Sequence, residues 1–235
     1  MAPFLEQTFF HYALLSFYLL GPPTFIALRF FQFPYGKHNR VNTSKIPKLY
    51  FSCLLFSSIT STAPSSTRFA FTRVPLKQNT KTTIGFPLFL SVNGFLTQAL
   101  NTYLQVRWVS HYKSDYDSDG GLFWWKFFGG LVVFLWGMRI NMWADTALLV
   151  LKSENGGYKV PRGGWFEVVT CPNYLGEIVE WLGWAVMTWS WGGLGFFLYT
   201  CSNLVPRACA SHKWYLEKFG EDYPKNRKAV IPFIV

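Results

Sequence analysis

The sequence predicts an all-α fold, a polytopic bundle of membrane helices. Half of its 235 residues are hydrophobic, a fifth are aromatic and only 14% are charged, whereas soluble domains carry about 25% charged residues. Three stretches contain no Asp, Glu, Lys or Arg, namely 8–28, 82–106 and 181–206. Each is long enough to cross about 30 Å of hydrocarbon at about 1.5 Å per helical residue. We expect one membrane-embedded domain over residues 1–235.

The formal net charge of +10 does not indicate nucleic-acid binding, because the basic residues lie between apolar spans and form no single patch. Juxtamembrane Lys and Arg on the cytoplasmic side explain the charge more simply. The cysteines have no CxxC spacing and the histidines form no HExxH motif, so we expect no disulfide framework and no protein-bound metal. The residues before the first apolar run include Glu6 and no base, so we expect that run to stay as a membrane helix.

The first span is predicted at 8–31, where Gly21, Pro22 and Pro23 should kink it or divide it in two. A basic turn follows at 34–40, and segment 1–40 is therefore the first span with its turn. Segment 41–81 diverges from this pattern, because it is rich in Ser and Thr and only weakly apolar. The remainder, 82–235, is the portion in which ordered spans return.

A span over 85–108 carries Asn101 and Gln105 one helical turn apart. Such an amide pair more often ties two helices together, and the alternative is that it lines a cavity. The acidic loop 110–121 lacks the glycine and terminal glutamate spacing of a calcium loop, so we interpret it as a solvated turn.

The next span, 122–144, leads into a polar stripe. Asn141, Asp145, Leu148 and Lys152 recur at i, i+4, i+7 and i+11 and so share one helix face. One interpretation is a salt-bridged helix end, in which Asp145 pairs with Arg139 or Lys152. The other is that an amide, an acid and a base bind a polar ligand at membrane depth.

Segment 158–181 concentrates turn-forming, basic and acidic residues between apolar stretches, and polar groups beside a membrane span are costly. If Asn173 opens a helix, Glu177 and Glu180 share its face and Trp181 adjoins it. The simpler interpretation is a solvated loop and a helix start. An aromatic helix to about residue 203 and a basic tail follow. In the tail Arg207, Ser211 and Tyr215 share a face that could lie at the cytoplasmic surface or bind phosphates.

The sequence resembles the steroid 5α-reductase family, most closely its plant branch in brassinosteroid synthesis. The resemblance extends over about three quarters of the chain. The matching segments are ALRFFQFPYGKHNR (27–40), QVRWVSHYK (105–113), GMRINMWAD (137–145), YKVPRGGWFEVVTCPNYLGEIVEWLGWAVMTWS (158–190), SHKWYLEKF (211–219) and EDYPKNRKAVIPF (221–233).

This resemblance implies a helical endoplasmic reticulum membrane enzyme with seven spans, of which this chain would have six or seven. It also implies NADPH in a cavity that opens to the cytosol, with hydride transferred to C5 and a proton to C4 of a 3-oxo-Δ4-steroid substrate. Lysines 152 and 159 stand where relatives can carry arginine, so they keep the charge but lose the bidentate fork. The implied cofactor residues are Asn141, Asp145, Leu148, Lys152, Tyr158, Lys159, Asn173, Glu177, Trp181, Arg207 and Tyr215.

Two elements of the family are absent, a Glu-Ser-Pro or Glu-Leu-Pro element and a His-Tyr-Phe-His-Arg element, whose Glu and Tyr hydrogen-bond the steroid 3-keto oxygen. No glutamate occurs between Glu6 and Glu154, so no catalytic residue is assigned. Several functions stay open. They are an active steroid reductase, a variant that binds NADPH without turnover, a reductase of enoyl-CoA thioesters or polyprenols and, more distantly, a membrane methyltransferase of isoprenylcysteine.

Overall fold

The computed structural model describes residues 2–30, 88–112, 120–153 and 159–235. In these ranges it has no strand, and one isolated parallel bridge joins Val169 to Lys228, so the all-α prediction is confirmed there. A π-helical turn continues α2 through Trp108–Tyr112. The α-helices are α1 Ala2–Phe30, α2 Leu88–Arg107, α3 Gly120–Ser153, α4 Pro172–Thr188 and α5 Trp191–Phe219.

The chain divides into two compact units, residues 1–31 with 104–235 and residues 32–103. Of the smaller unit the structure describes only the first part of α2, where the side chains of Gln98 and Asn101 are buried. The predicted basic turn 34–40 and the divergent segment 41–81 lie outside the described residues. The single-domain organisation therefore stays a prediction.

Two of the described helices are long and apolar enough to cross a membrane, over Leu5–Arg29 in α1 and Gly121–Leu151 in α3. The seven-span count is not confirmed. Helix α1 continues through Pro22 and Pro23, so the first span is not divided in two. Its packing on α5 supports the helix around these prolines, because the ring of Phe17 lies 5.3 Å from that of Phe196.

The charge-free stretch 181–206 is not one continuous helix, contrary to the prediction. Helix α4 ends at Thr188, and Trp189 adopts the left-handed conformation with φ 45° and ψ 48°. The hydroxyl of Ser190 then caps α5 by accepting the N–H of Gly193 at 2.9 Å, which satisfies one of the free donors at a helix start. The stretch is therefore a hairpin between two helices, which hydropathy alone did not indicate.

Helices α3 and α4 are in backbone contact through four glycines. A Cβ added to Gly137 of α3 would lie 2.4 Å from the backbone N of Glu180 in α4, and one on Gly176 would lie 2.4 Å from the N of Asn141. Gly130 and Gly183 make the equivalent contact further along. The two helices run antiparallel, since the higher-numbered glycine of each faces the lower-numbered one of the other. The contact fixes Asn141 against the start of α4.

The C-terminal segment returns to the start of α4. The backbone N–H of Thr170 donates to the carbonyl of Lys228 at 2.8 Å, and that of Cys171 donates to the carbonyl of Ala229 at 3.1 Å. The side chains of Val169 and Val230 are fully buried here. The last residues are therefore part of the fold's core and hold the N-terminal end of α4 in place.

Candidate functional site

The amide and acid side chains of the predicted stripe meet the start of α4. The side-chain amide of Asn141 donates to the backbone carbonyl of Asn173 at 3.0 Å, and the amide of Asn173 donates to Oδ1 of Asp145 at 3.1 Å. Asn141 is 1% exposed and Asp145 is 7% exposed. The resemblance assigned these three residues to one site, and the structure brings their side chains into contact; their role stays a prediction.

The side-chain oxygen of Asn141 is buried and has no hydrogen-bond partner among the described residues. Leaving a buried acceptor unpaired costs about 1–3 kcal/mol, so this atom is suited to an incoming N–H donor. Leu148 is half-buried one turn beyond Asp145. Lys152 belongs to the last turn of α3, but its side chain lies outside the described residues. Whether Asp145 also pairs with Lys152 thus stays open.

Helix α4 begins one residue before Asn173, at Pro172, close to the predicted start. Glu177 follows one turn later and is half-buried, while Glu180 is 1% exposed. Trp181 is buried too, but its ring packs edge-on against Phe196 of α5 at 4.3 Å. Its described contact is thus an aromatic one, with the core between α4 and α5.

The predicted face of α5 points inward, since Ser211 and Tyr215 are buried and Arg207 is half-buried. The ring of Tyr215 stacks on that of Tyr223 with centroids 5.5 Å apart. Lys159 is exposed at the start of the loop before α4, and Tyr158 lies outside the described residues. The described side chains of this group therefore lie on α5 and on the loop before α4, whereas the amide and acid cluster lies on α3 and at the start of α4.

A buried hydroxyl network beside the start of α4 was missed from the sequence. The hydroxyl of Thr170 lies 2.5 Å from Nδ1 of His212 and 2.7 Å from the hydroxyl of Tyr223. Burial lowers the pKa of His212, and the positive charges of Lys228 and Arg227 lower it further. The imidazole is therefore neutral near pH 7. The partners are 42 and 53 residues apart in sequence, and no local pattern joins them.

The amide of Gln105 ties two helices together, as the commoner interpretation predicts. Its oxygen accepts the indole N–H of Trp184 in α4 at 2.9 Å. Among the described residues, no group of three or more His, Cys, Asp or Glu side chains could hold a metal ion.

Comparisons with known proteins identify the family. Residues 84–235 match the family model described as 3-oxo-5-alpha-steroid 4-dehydrogenase. The chain is 49% identical to a steroid 5-alpha-reductase of Arabidopsis thaliana, in an alignment that covers 97% of this chain and 98% of the relative. The chain belongs to the steroid 5-alpha-reductase family. It is accordingly an oxidoreductase of the kind that acts on CH–CH groups.

Other members of the steroid 5-alpha-reductase family align over different lengths. A steroid 5-alpha-reductase of Gossypium hirsutum is 50% identical over 97% of this chain and 98% of its own length. The 3-oxo-5-alpha-steroid 4-dehydrogenase 1 of Homo sapiens is 43% identical, over only 63% of this chain and 56% of its own length. The Arabidopsis alignment runs over 257 positions, more than the 235 residues of this chain. This chain therefore lacks residues that its plant relative has.

Proposed function

We propose that this chain uses NADPH to reduce the Δ4 double bond of a 3-oxo-Δ4-steroid, with hydride delivered to C5 and a proton to C4. The proposed setting is brassinosteroid or other sterol metabolism in the endoplasmic reticulum membrane. The observation that carries the proposal is the near full-length similarity to plant steroid 5-alpha-reductases. The buried cluster of Asn141, Asp145 and Asn173 supports it, because polar side chains so deep in an apolar bundle are typical of a ligand site.

The residues present fit a nicotinamide cofactor. The unpartnered oxygen of Asn141 is an acceptor for a carboxamide N–H, and Asp145 holds the neighbouring amide of Asn173 in place. Cationic side chains suit the phosphates because charge-assisted hydrogen bonds are the stronger ones. When bound, NADPH supplies the hydride. The residues proposed to hold it are Asn141, Asp145, Leu148, Lys152, Tyr158, Lys159, Asn173, Glu177, Trp181, Arg207 and Tyr215.

The surfaces of α1 and α3 support a bilayer as the surrounding medium. Large apolar side chains are exposed along both helices, among them Leu19 at 62%, Val132 at 67% and Trp125 at 80%. In water such faces would favour aggregation, whereas lipid covers them without cost. Basic residues at 152, 159, 162 and 207 flank the cluster in sequence, which supports a cytosolic position for it by the positive-inside rule.

A second candidate is a family variant that binds NADPH without turning over steroid. Reduction of an enone places charge on its carbonyl oxygen, and losing one donor to that oxygen costs about 10²–10³ in rate. The keto-binding elements are absent, and the shorter length relative to the Arabidopsis protein favours this candidate. Glu6 is no substitute for the missing keto-binding glutamate, because it pairs with Arg107. Arg107 is two residues from Gln105, which hydrogen-bonds Trp184. Trp184 lies towards the end of α4 that is opposite to Asn173.

The deciding experiment measures binding and turnover separately on the purified full-length chain in detergent. NADPH binding is followed by fluorescence, and reduction of a 3-oxo-Δ4-sterol by product analysis. Binding with turnover supports the reductase, and binding without turnover supports the variant. Failure to bind NADPH would refute both.

Two further comparisons sharpen the result. The Asn141→Ala variant should weaken binding, whereas Asn226→Ala, at an exposed position in the C-terminal segment, should not. Faster reduction of an enoyl-CoA or a polyprenol than of the sterol would instead assign the chain to those related reductases.

A further inference from the structure

Glu167 is the one carboxylate of segment 158–181 that lies outside helix α4, and it joins the loop 159–167 to the C-terminal segment. Its Oε1 accepts the backbone N–H of Gly163 at 2.7 Å. Its Oε2 accepts a hydrogen bond from Nη2 of Arg227 at 3.3 Å and lies 3.7 Å from Nη1 of Arg162. The Gly163 hydrogen bond, followed by the charges of Arg227 and Arg162, lowers the pKa of Glu167. The carboxylate is therefore ionised at neutral pH.

Arg227 is the buried partner of this ion pair. Its side chain is 0% exposed, and its Nε and Nη1 have no hydrogen-bond partner among the described residues. A buried guanidinium is costly unless an anion compensates it, and Glu167 is the anion in contact with it. Its carbon Cζ also lies 5.2 Å from the ring centroid of Tyr223. Arg227 is thus held within the C-terminal segment and cannot follow a moving loop.

The loop that Glu167 closes lies on the helix that carries the cofactor cluster. Gly163 and Gly164 have φ values of 87° and 51°, a backbone conformation that favours glycine. A Cβ on Gly164 would lie 2.6 Å from the indole of Trp143, and the ring of Phe166 lies 5.6 Å from the same indole. Trp143 is two residues from both Asn141 and Asp145, so it lies on the opposite face of α3. Residues 164–166 therefore pack on the helix that carries Asn141 and Asp145 from its other side, and Lys159 lies at the start of the same loop.

We propose that Glu167 is a positioning residue, which with Arg227 latches loop 159–167 to the C-terminal segment and so holds Lys159 where it can bind the phosphates of the cofactor. Glu167 acts through the loop and does not touch the ligand. The expected effect on cofactor binding rests on the proposed use of NADPH. The contact between Glu167 and Arg227 does not depend on it. Arg162 reinforces it, since its Nη2 donates to the carbonyl of Asp222 in the C-terminal segment at 3.5 Å.

The test replaces Glu167 by Ala in the full-length protein. Loss of the latch should raise the KM for NADPH about tenfold while kcat stays within about twofold. If turnover is absent, the Kd of NADPH takes the place of the KM. The matched control is Glu221→Ala, which removes an exposed ion pair with Lys225 of 2.7 Å in the same segment. The control should leave the KM and Kd unchanged.

A second readout is independent of the cofactor. Arg162 is exposed, so trypsin cleavage after it, followed by mass spectrometry, reports opening of the loop. Cleavage should be about tenfold faster in Glu167→Ala and unchanged in Glu221→Ala. Unchanged cleavage in Glu167→Ala would overturn the latch. Faster cleavage in a protein that does not bind NADPH would instead support the latch and refute the proposed function.

The double variant Glu167→Gln/Arg227→Met separates the latch from the cost of an unpaired buried charge. It removes both charges, and such paired replacements are often neutral for stability. If the latch is correct, the double variant folds normally yet keeps the raised KM or Kd and the faster cleavage. Recovery of wild-type affinity and protection would show that the single variant suffered only from the unpaired buried charge of Arg227, and the proposal would fall.

Discussion

Replacing Gly137 by Ala tests whether the backbone contact between α3 and α4 sets the site. A Cβ at this position would lie 2.4 Å from the backbone N of Glu180 and 2.7 Å from the carbonyl oxygen of Gly176. Favourable contacts between heavy atoms lie near 3.5 Å. Since both neighbours are helix backbone and cannot rotate away, the two helices must separate locally by about 1 Å.

That displacement is enough to disrupt the cluster. Asn141 lies one turn beyond Gly137, and its hydrogen bond to Asn173 measures 3.0 Å, while that of Asn173 to Asp145 measures 3.1 Å. A shift of about 1 Å takes both beyond hydrogen-bonding distance. Overpacking costs about 1–3 kcal/mol, which at about 2–4 °C per kcal/mol lowers the Tm by on the order of 5 °C. Misplacement of this size also costs about 10²-fold in a positioned reaction.

The assay compares three alanine variants of α3 in detergent by thermal unfolding and NADPH binding. Gly129→Ala is the matched control, because a Cβ there meets nothing within 4 Å. Gly130→Ala would meet the N of Met187 at 2.4 Å and should lose stability, but it lies three turns from Asn141 and should affect binding less. Wild-type Tm and binding in Gly137→Ala would refute the close contact on which the site geometry depends.

Three other changes have defined outcomes. Asn173→Ala removes the donor to Asp145 and should weaken NADPH binding about tenfold, measured by titration against the wild type. Gln105→Leu combined with Trp184→Phe removes a hydrogen bond between helices and should cost about 1 kcal/mol; a double-mutant cycle with the single variants isolates that energy. Because burial depresses the pKa of His212 in the folded state below its ordinary 6.5, the stability present above pH 6.5 should be lost as the pH falls below it, and His212→Gln should flatten that decline in a pH series of Tm values.

Hydropathy predicted the helices but not where they are interrupted. The charge-free windows located α1 and much of α2, and the span 122–144 located α3, because apolar composition is a property of a stretch as a whole. The hairpin at Trp189 and Ser190 was missed, since one serine cap and one left-handed residue leave composition unchanged. The prolines of α1 had the opposite effect. They indicated a kink or a division, and the division does not occur, because α1 continues through both prolines.

The candidate site was predictable where its residues obey a helical period. Asn141 and Asp145 are four residues apart, so a shared face followed from the sequence, and Asn173 was placed with them by resemblance. The Thr170, His212 and Tyr223 network and the Glu167 to Arg227 ion pair connect residues 42 to 60 positions apart. Those contacts arise only once the C-terminal segment pairs with residues 168–171, which is a tertiary event without a local signal.

The described contacts that build the cluster of Asn141, Asp145 and Asn173 come from one part of the chain. The glycine contact between α3 and α4, the hydrogen bonds of Asn173 and the pairing of Thr170 with Lys228 all lie within residues 130–230. None of them involves the part of the chain where the keto-binding elements of the family would stand. A chain without those elements can therefore still assemble the cluster. Binding and turnover are then independent properties, and NADPH affinity alone would not establish that this chain reduces a steroid.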